Sequence, residues 1–289
     1  YMANQKRMDL TTGKPIRQIL LFSLPLVVGS LFQQMYSFVD TIMVGRLISS
    51  EALPEIALEP FVPDTLEKAI VGADDRITIS NTNVFPYSAI AYLEVEARCG
   101  CDWTASGFMV SKDCLMTGAH CVVCQEHNST ANYITMYFGY KSNKNYLLKY
   151  DGETSYWYGT NVYSGGTYNT DWDYAYIQLK KPVGEKTGWF GLNALSDAQL
   201  NGAGFEVAGY RDRVLKKDWG NASVRTQYAI THNADTLAGN SGCPVFNKDY
   251  YVVAIHVAEN TSNSSNPYNI ARRITQDLIN EMRGLNLFD

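Results

Sequence analysis

The sequence predicts an all-β protein that ends in a single helix, and three observations support this fold class. Short apolar runs recur from about Ala69 onward, separated by clusters of Gly, Asn, Asp and Ser, which is typical of short strands joined by turns. The chain contains 20 tyrosines and 22 glycines, residue types that favour strands and turns over a helical bundle. Helical periodicity appears only in ITQDLINEMRGL, where Ile274, Leu278 and Met282 share one face. These patterns predict an antiparallel barrel or sandwich followed by one helix.

The predicted strands are, in chain order, AIAYLEVE, YITMYFGY, YAYIQL, FEVAGY and YVVAIHVA. A hydrophobic content of 46% can supply a sizeable core, and no internal repeat divides the chain. The formal net charge of −5 argues against nucleic acid as a partner. The sequence also lacks GxGxxG, Walker and HExxH motifs, so nothing supports nucleotide binding or zinc-dependent hydrolysis.

The first 48 residues differ in character from the rest of the chain. Basic residues dominate positions 1–17, and residues 18–39 form an uncharged run long enough to cross a bilayer. The basic flank predicts a cytoplasmic N-terminus and export of the remainder. The apolar run is longer than the hydrophobic region of a cleaved signal peptide, which favours a signal anchor, with a buried amphipathic helix as the alternative. Membrane contact through residues 18–39 before processing is therefore predicted.

The segment LTTGKPIRQILLFSLPLVVGSLFQQMYSFVDTIMVGRLI, within residues 9–48, resembles the first transmembrane helix of multidrug and toxic compound extrusion (MATE) transporters. No further apolar span follows it, whereas a transporter needs a bundle of helices. We interpret residues 1–48 as a recruited anchor, an export signal or a chimeric junction. Residues 49–68 hold three prolines and five acidic residues against one lysine, a composition typical of a linker or propeptide.

Five of the six cysteines fall between Cys99 and Cys124, and the sixth is Cys243. Such a cluster indicates either a local disulfide network or a metal site. Cys121 and Cys124 follow His120 with C-x-x-C spacing, but no second C-x-x-C or histidine pair completes the usual zinc pattern. The sequence therefore favours disulfides over free thiols and predicts no metal and no other cofactor. The connectivity of the disulfides stays open.

Three separate segments carry the residue types of a nucleophilic triad. In LMTGAHCV an apolar strand leads to His120, and in GNSGCP Ser241 lies on a tight glycine-containing turn where backbone N–H groups can converge. In NTDWDYAYIQL, Asp173 shares strand parity with the apolar residues that follow, which turns its carboxylate inward. An inward carboxylate needs a partner, and a histidine N–H is a suitable one. A serine hydroxyl becomes a nucleophile when an imidazole takes its proton and an acid fixes the imidazole tautomer.

Each of these segments alone has a simpler explanation. A lone histidine is more often structural, an aspartate before a strand is more often a turn residue, and GNSG also fits a hairpin loop. Their occurrence in the order His, Asp, Ser within an all-β chain favours the catalytic interpretation. His120 is then the base, Asp173 the orienting acid and Ser241 the nucleophile, with Asp171 as the runner-up for the acid.

Residues 69–289 contain, in order, the motifs IVGADDR, PYSAIAYLEV, SGFMV, TGAHC, DYAYIQL, PVGEKTGWFG, VAGYRDR, DTLAGNSGCPVF, VVAIH and YNIARRIT. In these motifs the segment resembles the glutamyl endopeptidases, a bacterial branch of the chymotrypsin-like serine proteases. The resemblance implies a protease domain of two six-stranded β-barrels with the active site between them, and the same triad. It also implies an oxyanion hole made by the backbone N–H groups of Gly239 and Ser241, which stabilises the charge that develops in the tetrahedral intermediate.

The resemblance further implies a preference for acidic substrates. In the family, a threonine five residues before the serine and a histidine fifteen residues after it hold the acidic side chain, and Thr236 and His256 occupy those positions here. A hydroxyl and an imidazole can both donate hydrogen bonds to a carboxylate. The alternative for His256, which lies in the apolar run VVAIHVA, is a satisfied core histidine. Glu259 departs from the glycines usual at the pocket mouth, which weakens the expectation of glutamate specificity more than that of proteolysis.

The resemblance implies that the mature protease begins near Ala69, in AIVGADDR. Asn240 precedes the nucleophile, so the new amino terminus cannot pair there with an aspartate as it does in pancreatic proteases. Cleavage near residues 67–70 would instead release the protease domain from an anchored or secreted zymogen. Ala105 replaces the cysteine that many relatives pair with the one after the catalytic histidine, so Cys121 pairs elsewhere or stays reduced.

The sequence thus predicts a serine endopeptidase that forms an acyl-enzyme and cleaves after Glu or Asp in protein or peptide substrates. We expect a secreted or extracellular monomer, membrane-anchored before processing. Two alternatives belong to other classes. One is a catalytically inactive protease-like binding module, and the other is a membrane protein of transporter type, which only residues 9–48 support.

Overall fold

A computed structural model of the protein describes residues 76–288, with gaps at 142–144, 165–166 and 261–267. The predicted membrane segment, the linker or propeptide at 49–68 and the activation site near residues 67–70 lie outside this range. Within the part of the chain that is described, no helix is both long enough and apolar enough to cross a membrane.

The described residues form a β-rich structure with few helices. Its strands are β1 (Ile77–Thr78), β2 (Ile90–Ala97), β3 (Asp102–Met109), β4 (Cys114–Thr117), β5 (Val123–Cys124), β6 (Ser129–Phe138), β7 (Leu148–Tyr150), β8 (Thr154–Tyr158), β9 (Ala175–Leu179), β10 (Gly191–Leu192), β11 (Gly204–Arg211), β12 (Val214–Val224), β13 (Ala229–His232), β14 (Pro244–Phe246), β15 (Tyr251–Asn260) and β16 (Tyr268–Arg273). The α-helices are α1 (Gly184–Thr187), α2 (Asp197–Leu200) and α3 (Gln276–Gly284). Short 3₁₀ turns span Tyr87–Ala89, Ala119–Cys121 and Thr170–Trp172.

The first barrel is an antiparallel sheet with the strand order β6-β2-β3-β4-β9-β8, to which the short strands β5 and β7 add by pairing with β6. Strand β6 shows why the sheet has an inside. Ile134, Met136 and Phe138 are buried at alternate positions, whereas Tyr133 is 66% exposed. The hydroxyl of Tyr156 in β8 donates a 2.8 Å hydrogen bond to the Ala131 carbonyl in β6, so a side chain links the two ends of the sheet.

The second barrel closes on itself. Its strands follow the order β12-β11-β14-β15-β16-β13, and β13 pairs again with β12, which makes a ring of six. Strand β1 adds to the outer edge of β12, and β10 pairs in parallel with β15. Closure satisfies the backbone hydrogen bonds that an open sheet edge would expose.

Buried apolar side chains of both barrels and of α3 form one large cluster, and a smaller cluster fills the second barrel. Phe190 joins the barrels, because its ring centroid lies 5.9 Å from that of Phe108 and 4.9 Å from that of Phe246. Such aromatic pairs each contribute about 0.5–1.5 kcal/mol beyond the area they bury. The two barrels therefore pack against each other over a continuous core.

The predicted fold class is confirmed. Each of the five predicted strand segments overlaps an observed strand, and the predicted C-terminal helix corresponds to α3. Thr275 caps α3 by accepting a hydrogen bond from the Leu278 backbone N–H, and Ile274, Leu278 and Met282 are all buried as their spacing predicted. The ring of six strands in the second barrel and the path of six in the first match the expected double barrel.

Candidate active site

His120 lies on the short turn that follows strand β4. The strand ends at Thr117, Gly118 extends the chain, and the 3₁₀ turn Ala119–Cys121 carries the imidazole, whose side chain is 20% exposed. A Cβ atom on Gly118 would lie 3.0 Å from His120 Nδ1 and 3.1 Å from Asp173 Oδ1. The glycine therefore leaves room for the histidine and the carboxylate to meet.

Asp173 is fully buried and holds His120 at two points. Its Oδ2 lies 2.6 Å from His120 Nδ1, and its Oδ1 accepts a 2.9 Å hydrogen bond from the His120 backbone N–H. Because a carboxylate can only accept, the Nδ1 proton is fixed on the side of Asp173 and Nε2 is left to act as the base. Asp171, the runner-up, instead accepts a hydrogen bond from Thr226 at 3.1 Å. The inward carboxylate was predicted, although β9 begins only at Ala175.

Tyr168 is a third residue at this carboxylate, and the sequence analysis missed it. Its hydroxyl hydrogen-bonds to Asp173 Oδ2 and lies 3.0 Å from the carbonyl oxygen of Val257 in β15. Burial and the Asp173 carboxylate raise the pKa of Tyr168, so the hydroxyl stays protonated and serves as a donor. No local motif marks this tyrosine among the 20 in the chain.

Two opposing effects set the protonation of His120. Burial alone would lower the pKa of the imidazole, but the Asp173 carboxylate and Cys121 outweigh it and raise the pKa well above 6.5. The neutral form that accepts a proton therefore dominates only at a pH above this raised value.

The Nε2 atom of His120 faces the sulfur of Cys121 at 3.6 Å. Among the described residues, no hydrogen bond joins Ser241 Oγ to His120. Hydrogen bonds between catalytic groups are often long without substrate and tighten when it binds. The structure thus brings His120 and Asp173 of the predicted triad into direct contact. Ser241 is located only through its turn, which packs beside Gly118.

The turn that carries Ser241 is pressed against the strands that lead to His120. Gly242 has a φ of +84°, and a Cβ atom there would lie 2.1 Å from Thr117 Oγ1 and 2.2 Å from the Ser106 carbonyl oxygen. Ser106 also donates its backbone N–H to the Ser241 carbonyl at 2.8 Å. Only glycine allows this approach, so the serine turn of the second barrel is fixed on the first barrel beside Gly118.

The same turn presents two backbone amides. Gly239 has a φ of +99°, and within the described part of the chain neither the Gly239 N–H nor the Ser241 N–H has a hydrogen-bond acceptor. Asn240, which is 3% exposed, points the other way. Its Oδ1 accepts from the Leu237 N–H at 2.8 Å and its Nδ2 donates to the Tyr210 carbonyl at 3.3 Å. Asn240 thus braces the turn, while the two amides stay available.

Thr236 and His256, the residues expected to recognise an acidic side chain, are both buried. The Thr236 hydroxyl has no partner among the described residues, although Thr236 is only 8% exposed. His256 Nδ1 lies 3.3 Å from His232 Nε2, so these two rings share a hydrogen bond. Burial, followed by the neighbouring His232 and His120, lowers the pKa of His256 well below 6.5, and burial lowers the pKa of His232 to about 4. The Glu259 side chain lies outside the described residues.

A sequence model of the trypsin family matches residues 78–279, which is more than half of the chain. The chain belongs to the trypsin family. This family match and the glutamyl endopeptidase relatives support a serine endopeptidase, which is a hydrolase. A glutamyl endopeptidase of Bacillus licheniformis is 27% identical over 227 residues, which cover 74% of this chain and 68% of that protein.

Two further comparisons, one of sequence and one of structure, cover most of the chain. An extracellular metalloprotease of Bacillus subtilis is 28% identical over 246 residues, which cover 78% of this chain and 72% of that protein. The solved structure of a Glu endopeptidase in complex with MPD superimposes with a TM-score of 0.63 and 18% identity, covering 75% of this chain and 99% of that one. The trypsin-family chain therefore has the chymotrypsin-like double barrel that its motifs implied. These relatives do not show the resemblance of residues 9–48 to MATE transporters, which stays a prediction.

The cysteines of this trypsin-family chain differ from the expectation. All six are free in the structure, which shows none of the predicted disulfides. Cys121 lies beside His120 as a free thiol. Ala105, which is buried in β3 where many relatives have the partner cysteine, has no sulfur to bond to it. Cys114 and Cys243 are fully buried, where a thiol acts as a small apolar side chain. Cys99, Cys101 and Cys124 lie together at one end of the first barrel.

Proposed function

We propose that the protein is a glutamate-preferring serine endopeptidase that works through an acyl-enzyme. His120 is the general base, Asp173 the orienting acid and Ser241 the nucleophile. The observation that carries this proposal is the two-point hydrogen bonding of a fully buried Asp173 to His120 beside the turn of Ser241. Such a pair fixes the imidazole tautomer that can take the serine proton.

The charge that develops in the reaction has a matching site. Attack of Ser241 on a peptide carbonyl forms an oxyanion. The amides of Gly239 and Ser241, which have no acceptor among the residues that the structure describes, are the donors we assign to it. Removing one such donor typically costs about 2.7–4 kcal/mol of transition-state stabilisation. His120 then gives its proton to the leaving amine, and water attacks the acyl-enzyme by the same route in reverse.

Acidic specificity is supported by the chemistry of the two buried pocket residues. The Thr236 hydroxyl is buried and has no partner within the described part of the chain, a state that usually costs free energy and that a ligand would relieve. His256 uses Nδ1 on His232, which leaves Nε2 for a ligand. A substrate carboxylate can accept from both groups. The name of the Bacillus licheniformis relative, glutamyl endopeptidase, supports the same preference.

Export and activation complete the proposal. We infer that residues 1–48 direct or anchor the chain at the membrane, that residues 49–68 act as a linker or propeptide, and that cleavage near residues 67–70 yields an active secreted monomer. The acidic, proline-rich composition of residues 49–68 and the uncharged run at 18–39 support this order. N-terminal sequencing of purified active protein tests it, and full activity of the intact chain would contradict it.

Two variants test the mechanism and the specificity separately. Ser241→Ala should lower kcat on the order of 10⁶-fold and abolish labelling by a fluorophosphonate, with an unchanged circular dichroism spectrum. His256→Ala should strongly reduce the preference for Glu over Gln, measured as the ratio of the two kcat/KM values. The kcat for the Gln substrate should fall by a smaller factor. Hydrolysis retained by the first variant would exclude the mechanism, and an unchanged Glu/Gln ratio in the second would exclude the pocket.

An inactive binding module is the second candidate. It is favoured because His120 Nε2 faces the Cys121 sulfur and, among the described residues, Ser241 Oγ makes no hydrogen bond to His120. Under that alternative, the wild-type chain would take up no fluorophosphonate after processing near residue 69. Stoichiometric labelling of Ser241 would exclude the alternative.

A further inference from the structure

Four metal-ligating side chains that play no part in the proposed mechanism meet at one end of the first barrel. The sulfur atoms of Cys99, Cys101 and Cys124 and a ring nitrogen of His127 all lie within 4.8 Å of one another. We propose that these four residues bind one Zn²⁺ ion in a structural site. The inference goes beyond proteolysis and does not depend on the proposed specificity.

The distances fit tetrahedral zinc. His127 Nδ1 lies 3.4 Å from Cys101 Sγ and 3.6 Å from Cys124 Sγ. Typical Zn–S and Zn–N bonds in a tetrahedron separate a sulfur from a nitrogen by about 3.6 Å and two sulfurs by about 3.8 Å. The remaining distances between the ligand atoms are at most 4.8 Å. A small movement of the sulfur atoms toward the ion would complete the tetrahedron.

The backbone holds the four ligands in two neighbouring turns. Cys99 and Cys101 lie on the turn between β2 and β3, where Gly100 has a φ of +88° and the Ala97 N–H donates to the Cys101 carbonyl at 2.8 Å. Cys124 ends β5, and His127 lies in the loop that leads to β6. These loops share an edge, because β2 pairs with both β3 and β6.

Further contacts support this arrangement. The Arg98 N–H donates to the Thr130 carbonyl at 3.1 Å, which ties one turn to the other. The Gly100 N–H donates to the Ala97 carbonyl at 2.9 Å, which fixes the turn that carries Cys99 and Cys101.

The number and type of ligands favour zinc over a disulfide. A disulfide would join two of the three cysteines and leave the third without a sulfur partner, whereas a metal uses all three and the histidine. Three thiolates and an imidazole suit Zn²⁺ better than hard cations such as Mg²⁺ or Ca²⁺. Four protein ligands leave no open position for water, so this site is structural. Cys99 and His127 are exposed, so the ion can reach the site from solvent.

The position of the site suggests what it stabilises. Cys124 comes four residues after His120, and between them the Cys121 carbonyl accepts a 3.1 Å hydrogen bond from Trp103 Nε1 in β3. A metal ion that joins the β5–β6 loop to the β2–β3 turn would anchor the segment that follows His120. It would serve there in place of a disulfide, since Ala105 and Cys121 cannot form one.

The first test is the metal content of the full-length chain purified under reducing conditions with zinc present. We expect one zinc per chain, measured by inductively coupled plasma mass spectrometry. Cys99→Ser and His127→Ala should each bind much less zinc, whereas the control Cys114→Ala, which removes a buried thiol outside the cluster, should keep it. Wild-type levels of zinc in the two ligand variants would overturn the proposal.

A measurement on the wild-type chain covers the case in which ligand variants fail to fold. Replacing zinc with Co²⁺ should give the intense visible d–d bands and the sulfur-to-metal charge-transfer band of a tetrahedral thiolate site. A chelator should lower the Tm of the wild-type chain and leave the Tm of His127→Ala unchanged. Absence of the cobalt bands, or a disulfide between any two of the three cysteines in the exported chain, would overturn the proposal.

Discussion

The replacement Asp173→Asn isolates the role of the buried carboxylate with almost no change in shape. The amide oxygen can still accept from the His120 backbone N–H, which now uses Asp173 Oδ1 at 2.9 Å. The amide NH₂ then replaces Oδ2, which lies 2.6 Å from His120 Nδ1. Because this NH₂ is a donor, Nδ1 must become the acceptor and the ring proton moves to Nε2. The base is then blocked by its own proton.

The expected loss is large. In a serine protease triad the wrong imidazole tautomer lowers kcat by about 10⁴-fold, which corresponds to roughly 5 kcal/mol of barrier. The negative charge that raises the pKa of His120 also disappears, so any residual activity should persist to lower pH than in the wild type.

The assay measures kcat and kcat/KM against a Glu-containing peptide between about pH 5 and 9, roughly the range in which histidines titrate. Asp171→Asn is the matched control, because that carboxylate contacts Thr226 instead of His120, and its kcat should stay within about twofold. Circular dichroism and thermal unfolding check that both variants fold. A folded Asp173→Asn protein that keeps more than about a tenth of wild-type kcat would refute the reasoning.

Three other predictions concern the same region. Gly242→Ala should lower both activity and Tm sharply, because its Cβ would overlap neighbouring atoms. The control Gly202→Ala, at a φ of +78° with open space around it, should lower the free energy of unfolding by only about 1–2 kcal/mol. Equal losses of stability in urea unfolding would contradict this contrast. Tyr168→Phe should lower kcat about tenfold or more with little change in KM, because Asp173 loses a charge-assisted hydrogen bond. A change confined to KM would argue against a role of Tyr168 in positioning Asp173. The kcat/KM of the wild type should fall as the pH drops through a value above 6.5, because His120 then binds a proton and cannot act as a base. If the midpoint of this pH profile lay below 6.5, it would contradict the raised pKa of His120.

Local patterns were enough to predict the fold class and the members of the candidate site. The alternation of apolar residues marks strands such as β6 and β15, since side chains of a strand alternate between two faces. The histidine, aspartate and serine each lie in a short segment that has a simpler explanation by itself, and their order within an all-β chain is what predicts a triad. The predicted contact of His120 with Asp173 is present in the structure. The catalytic roles stay predictions, as does the pocket role of Thr236 and His256.

Sequence alone failed where a contact depends on how distant segments pair. Tyr168 lies on a loop without a motif, and only the approach of β15 brings the Val257 carbonyl to its hydroxyl. The structure shows none of the disulfides that the sequence predicts, since all six cysteines are free in it.

The composition and periodicity of this chain determined its strands and its terminal helix, because each depends on residues within one short segment. The order of three short motifs predicted the candidate triad. The tertiary structure decided which cysteines lie together. The sequence predicts no metal, because no second C-x-x-C or histidine pair accompanies Cys121 and Cys124. The residues that meet in the structure are instead Cys99 and Cys101 from one turn, and Cys124 and His127 from another. The two halves meet because β2 pairs with β3 on one side and with β6 on the other, which sets the two turns side by side. Strand register, a long-range property, thus created the four-ligand cluster that local spacing could not reveal.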